Sequence, residues 1–180
     1  MSSAGRISLF LFLILILCGC EDEFRTFDVQ TITVANNKPG SLTRDTIMMD
    51  SAGKFKFSRL RFPSSSGLNA TCVIDETHRE KPLWVVFSGR VRSNYAHSNA
   101  TITMAAVSPE NGMLVWKGSL LRYYVVDVNR WCHFRDSFYL EATFNNKPYG
   151  SVSVFTFLGD SEREDFDVDT LHVEFREIAD

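Results

Sequence analysis

Residues 171–176 read LHVEFR, so Leu171, Val173 and Phe175 alternate with His172, Glu174 and Arg176. A period of two sends successive side chains to opposite faces of an extended strand, and an apolar set facing a polar set makes that strand half-buried. Residues 138–144, FYLEATF, repeat the pattern, with Phe138, Leu140, Ala142 and Phe144 set against Tyr139, Glu141 and Thr143. Further strand-like runs lie at 29–34, 46–49, 54–62, 69–74, 83–91, 101–107, 113–117, 121–128 and 151–158, and no stretch of this part of the chain keeps a helical period.

Turn-forming residues separate these runs, at 36–40, 50–53, 64–67, 109–112 and 145–150. Asn111-Gly112 is the strongest hairpin signal, because both residue types tolerate the positive φ of a type I′ turn. Two runs break their own alternation. In KFKFSRLRF (54–62) the phase slips at Ser58-Arg59, which predicts a β-bulge. In SVSVFTF (151–157) it slips between Val154 and Phe155, which predicts a second bulge or a strand covered on both faces. About ten short strands without a helix predict an all-β domain, an antiparallel β-sandwich or jelly-roll-like fold, with a closed β-barrel as the alternative.

The N-terminus is of another kind. MSSAGR carries a positive charge at Arg6, and the chain is then uncharged until Glu21. The apolar stretch from Ile7 to Cys18 is roughly a dozen residues, where a bilayer-spanning helix needs about 20, so it reads as the apolar core of a signal peptide. It ends Leu17-Cys18-Gly19-Cys20, which resembles the lipobox of bacterial lipoproteins: an apolar residue, a tolerant position, a small residue and the cysteine that takes lipid. Cys18 departs from the small or hydroxylated residue usual at the tolerant position. The resemblance implies diacylglyceryl transfer to the Cys20 sulfur, cleavage before Cys20 and acylation of the new amino group. It covers this segment alone.

The expected organisation is a signal peptide over 1–19, an acidic tether over 20–26 and a single β domain over 27–180, a size that buries a real core. Glu21, Asp22 and Glu23 follow the lipid site directly. Such acidic runs resemble surface-export signals of some bacterial groups, and a solvated tether is the plainer reading. Glu21 is not the aspartate that resembles an inner-membrane retention signal, so the outer membrane is the expected location. The competing reading is a secreted eukaryotic protein, which the sequons Asn69-Ala70-Thr71 and Asn99-Ala100-Thr101 favour.

With Cys18 removed and Cys20 lipidated, Cys72 and Cys132 remain. Export to an oxidising compartment predicts a disulfide between them, worth roughly 3 to 4 kcal/mol for so long a loop; two separate buried thiols are the alternative. The net charge of −3 becomes more negative when Arg6 leaves, and no basic stripe is present, which argues against a nucleic-acid partner.

Candidates for chemistry are few. His78, His97, His133 and His172 stand at no metal-ligand spacing. Asp160, Glu162, Glu164, Asp165, Asp167 and Asp169 crowd into ten residues; calcium would find oxygens there but no EF-hand spacing, and a solvated acidic loop that receives a basic partner is the simpler expectation. No nucleophile elbow or triad motif is present. Among the aromatics, Trp116, Trp131 and Tyr124 are binding candidates, because aromatic side chains bring large contact area at low entropy cost. Trp84, inside the apolar run 83–87, is expected in the core, and Trp131 is expected beside the disulfide. These readings predict a lipid-anchored envelope protein that binds a protein partner without catalysis, as an immunity, inhibitor or accessory lipoprotein. A carbohydrate-binding lipoprotein is the next reading, and an envelope hydrolase the third.

Overall fold

The computed structural model describes residues 24–33, 46–49, 55–61, 66–158 and 164–179. The expected signal segment, Cys20, Asp160 and Glu162 therefore lie outside the described residues. The strands are β1 (Phe24–Thr33), β2 (Thr46–Met49), β3 (Phe55–Arg61), β4 (Ser66–Val73), β5 (Leu83–Ser93), β6 (Ala100–Val107), β7 (Met113–Leu120), β8 (Cys132–Leu140), β9 (Ser151–Leu158) and β10 (Asp165–Ile178).

They form two antiparallel sheets packed as a sandwich. The six-stranded sheet runs β2-β3-β10-β5-β8, with β1 as its sixth strand paired to β10, and the four-stranded sheet runs β4-β9-β6-β7. β10 is the longest strand, and its two edges differ. One edge pairs with β5 over nearly its full length; the other holds β3 at residues 165–168 and β1 at residues 170–178. No strand pairing joins the two sheets among the described residues, so the barrel alternative falls.

The LHVEFR alternation is realised directly: Leu171, Val173 and Phe175 are fully buried while His172, Glu174 and Arg176 are half-buried on the outer face. They meet Val85, Phe87, Phe134, Val154 and Met104 in one continuous core. Gly89 pairs with Leu171, next to the β10 irregularity at Val168/Thr170. A Cβ there would collide with the Thr170 carbonyl oxygen and come within 2.8 Å of the Phe134 ring, so only glycine fits that crossing.

Several expectations are corrected. Residues 121–128 are not a strand: Leu121–Tyr123 form a single 3₁₀ turn, with Leu121 and Val125 buried at helical spacing and Tyr123 exposed. The strand predicted at 138–144 ends at Leu140 and begins earlier, at Cys132; beyond it Asn145 and Asn146 take positive φ in a tight turn. Phe24 to Thr26, expected within the tether, pair with β10. The β6–β7 hairpin exists, but its loop spans 108–112, with Asn111 alone of Asn111 and Gly112 in the left-handed region.

Neither phase slip is a bulge where the pattern placed it. β3 pairs with β10 without interruption through Ser58-Arg59; its irregularity lies at the β2 edge, where Met48 and Met49 face Phe57 and Phe55. Phe57 lies with Arg59 on the outer face, while Ser58 is buried. β9 likewise pairs with β6 in unbroken register. Thr156 is the polar residue that points inward, and Phe155 and Phe157 lie half-buried outside.

Candidate binding surfaces

The sandwich has two outer faces of opposite character. On the four-stranded sheet the register directs Asn69, Thr71 and Val73 of β4 and Ser151, Ser153, Phe155 and Phe157 of β9 outward. From β6 come Thr101, Thr103, Ala105 and Val107, and from β7 Met113, Trp116, Gly118 and Leu120. None of these side chains carries a charge. Trp116 is 53% exposed, and its ring meets Phe155 at 5.3 Å and Phe157 at 6.1 Å, both edge-on. Quadrupole-matched edge contacts of this kind hold an exposed indole in place. Val73 (74% exposed) and Met113 (56%) extend the apolar character to one end of the face.

The outer face of the six-stranded sheet is charged. Asp167 is nearly fully buried between two guanidinium groups: Arg59 donates from Nε at 2.6 Å and Nη2 at 2.9 Å, and Arg92 from Nη2 at 2.6 Å and Nε at 2.9 Å. Arg90 pairs with Asp169. Trp131 lies over this layer, edge-on to Phe57 at 5.6 Å, with the Arg92 and Arg90 guanidiniums 5.0 and 5.7 Å from its ring centre. Cation–π attraction and ion pairing thus bind one lattice.

Towards the other end of this face the outward positions form rows across the strands. Tyr139, Trp84 and Arg176 make one row, Ser137, Val86 and Glu174 the next, and Arg135, Ser88 and His172 the third. Phe24 meets Trp84 edge-on at 5.3 Å, and Tyr139 lies 5.9 Å from it on the other side. The result is a shallow groove of about 390 Å³ lined by Phe24, Trp84, Val86, Arg135, Asp136, Ser137 and Arg176. Trp84 is thus an outer-face residue, contrary to its expected place in the core. Leu83, Val85 and Phe87 take the inward phase, which leaves Trp84 outside.

The acidic segment is not a solvated loop in its described part. Glu164 is buried and accepts from the hydroxyls of Ser93 at 3.0 Å and of Ser98, and from the Asn99 N–H at 3.1 Å. Asp165 and Asp167 begin β10, and Asp167 turns to the outer face. The segment's described carboxylates therefore do not converge as calcium ligands, and no group of three or more metal-binding side chains comes together among the described residues. His78 is also not simply solvated: its Nδ1 lies 2.6 Å from Glu177, and its ring stacks on Phe27 at 4.1 Å.

The expected disulfide is not formed. Cys72 and Cys132 are buried free thiols. Cys72 lies in β4 beside Asp28, whose register partners are Phe175 and, through it, Val85, whereas Cys132 is opposite Val91. Six residues of β5 separate those levels, roughly 20 Å at strand rise, too far for a bridge. Burial, followed by hydrogen bonding to Asp28, pushes the Cys72 thiol up to about 12. Trp131 accordingly packs on arginines and Phe57 rather than on a disulfide.

Tyr124 is half-buried, and its hydroxyl donates to Asp136 at 2.9 Å, so its role is in the β7–β8 seam more than on a free surface. Of the predicted binding residues that are described, Trp116 alone is broadly exposed. Phe24, Trp84, Tyr139 and Arg135 were not among the predicted site residues; strict alternation from Leu83 places Trp84 outside, and that was the available signal.

No family model matches the chain, and no curated protein does. Among solved structures it is similar to the VP2 subviral particle of infectious bursal disease virus, at 10% identity and a TM-score of 0.48, over 87% of this chain and 33% of that one. The chain therefore spans a third of the viral protein. It is also similar to the CBM22-1 xylan-binding domain of Xyn10C from Paenibacillus barcinonensis, at 12% identity and a TM-score of 0.48, over 86% of this chain and 99% of that one. A third likeness is to dimeric latent PorU from Porphyromonas gingivalis, at 8% identity and a TM-score of 0.39, over 89% of this chain and 14% of that one. Likenesses this distant carry nothing about what this chain binds.

Proposed function

We propose that this chain is a lipid-anchored, non-catalytic binding module of the bacterial cell envelope, and that it meets a protein partner through the uncharged outer face of its four-stranded sheet. The observation that carries the reading is Trp116, broadly exposed and held edge-on by Phe155 and Phe157 within a face without charged side chains. Protein interfaces are depleted of charge at their centres and enriched in Trp, Phe and Met, and a fixed aromatic anchor loses little entropy on docking. The opposite face would desolvate a lattice of ion pairs at far greater cost. Its most buried carboxylate, Asp167, is neutralised by two guanidiniums, which fits structural use better than acid–base chemistry.

A lipid on Cys20 would confine such a binder to the membrane at which its target arrives. This suits a tethered immunity, inhibitor or accessory protein of the outer membrane.

A photo-crosslinking residue at Met113 of the full-length protein, expressed in cells, tests the face. A discrete protein adduct is expected, lost when Trp116→Ala is added while the melting temperature stays within a few degrees. An adduct that persists unchanged in Trp116→Ala, or none at all, overturns the assignment. Separately, Cys20→Ser should abolish labelling by radioactive palmitate and release the protein from membranes; continued membrane association would count against the anchor.

A further inference from the structure

The groove on the six-stranded sheet is distinct from the Trp116 face, and its chemistry points to a different kind of ligand. We infer that it binds a sugar ring bearing a carboxylate, a hexuronic acid, as a free oligosaccharide or within a glycan chain.

Three observations combine. First, Trp84 forms an apolar wall between Phe24 and Tyr139, with Val86 beside it in the next row, and a pyranose offers C–H faces that pack on such rings. Second, Arg135 is exposed at the rim and has no hydrogen-bonding or ionic partner among the described residues, unlike four other arginines of this face: Arg59 and Arg92 hold Asp167, Arg90 holds Asp169, and Arg176 holds Glu174 at 2.5 Å. Third, Arg176 also lines the groove beside its partner Glu174, while the Asp136 carboxylate is taken up by the Ser119 and Tyr124 hydroxyls and the Ser137 N–H.

One free planar guanidinium beside an aromatic wall is complementary to a ring with a single carboxylate, which can accept two parallel N–H donors. The Ser137 hydroxyl and the Arg176 edge remain for ring hydroxyls. The volume lies at the small end of ligand pockets, suited to one or two sugar rings. The groove is shallow, so a bound ring keeps one side in water. That favours a hydroxylated ring over a planar aromatic acid, which gains most from a closed apolar slot.

Digalacturonate titrated into the detergent-solubilised full-length protein, followed by calorimetry and by the indole N–H signals, tests the inference, with neutral digalactose and benzoate as comparison probes. Saturable binding of digalacturonate is expected, weakened about tenfold or more by Arg135→Gln, abolished by Trp84→Ala and unaffected by Trp116→Ala. Arg135 is exposed, so its replacement leaves the fold intact and carries the test even where Trp84→Ala does not fold. Digalactose or benzoate binding as tightly as digalacturonate overturns the inference. So does unchanged affinity in Arg135→Gln, or no saturation by digalacturonate at about 20 mM.

Discussion

The side chain of Gln30 completes two hydrogen bonds with the backbone of Thr71, donating from Nε2 to the carbonyl oxygen at 2.8 Å and accepting from the N–H at 3.1 Å. Gln30 belongs to β1 in one sheet and Thr71 to β4 in the other, so an amide side chain does across the seam what a neighbouring strand does within a sheet. Nε2 also donates to Asp28 at 2.7 Å, which fixes the amide's orientation. Gln30→Ala leaves two backbone groups at a sheet edge to water and is expected to cost about 1 kcal/mol at this exposed seam. Urea unfolding should show a lower midpoint with an unchanged slope. A loss under about 0.3 kcal/mol would mean that this seam is held by core packing without the Gln30 bonds.

The opposite seam is fastened by Asp136. Burial works to raise its carboxyl, but donation from the Ser119 hydroxyl at 2.6 Å, from the Ser137 N–H at 2.8 Å and from the Tyr124 hydroxyl prevails and holds it below its ordinary value of 3.8. A carboxylate lowered in the folded state contributes stability that is present above 3.8 and is lost as pH falls through the folded value. Ser119→Ala should therefore destabilise the protein at pH 7 and narrow the gap from wild type below about pH 3. Parallel curves for the two proteins across that range would assign the loss to packing instead.

Much of this architecture is legible in the chain because one face of each sheet is buried. LHVEFR, the turn residues and every strand-like run but 121–128 follow from that. What misleads is any apolar residue whose cover comes from elsewhere in the fold. Phe57, Trp84, Phe155 and Phe157 lie on outer faces, under Trp131, Phe24 or Trp116, so an apolar run does not report which way each points. Leu121 and Val125 read as strand residues in a β-branched run, yet their shared burial needs a helical turn. The acidic segment misled for a related reason: Glu164 and Asp167 are buried only because Ser93, Ser98, Arg59 and Arg92 arrive from distant strands. Trp116 could be named from sequence alone, whereas the rows that frame Arg135 required the register.

The Cys72 thiol gives an alkaline signature. Cys72 rises from an ordinary 9.0 to about 12 through burial and Asp28. Above pH 9 the unfolded thiol loses its proton while the folded one keeps it, so stability falls as pH rises from 9 towards 12, by at most about 1.4 kcal/mol per pH unit from this group. Cys72→Ala should flatten that part of the profile. Peptide mapping after iodoacetamide at pH 8 should find Cys72 and Cys132 unlabelled in the native protein and both labelled in denaturant. Recovery of a peptide pair linked through these two residues would restore the disulfide.

Asp167 is the charge on which the outer lattice turns. Its carboxylate receives four N–H donors from Arg59 and Arg92, and both arginines lie against aromatic rings. Removing the acid leaves two half-buried guanidiniums facing each other, so Asp167→Ala is expected to cost about 3 kcal/mol, the scale for breaking a buried pair from one side. Arg92→Met, which removes a cation but keeps the stem against Trp131, should cost distinctly less, because Arg59 still serves Asp167. Combining the two substitutions restores charge balance around Arg59, and the double variant should be more stable than the sum of the single losses implies. Strict additivity in chemical denaturation would show that the guanidiniums do not repel across the empty site, and that the cost of Asp167→Ala is lost packing.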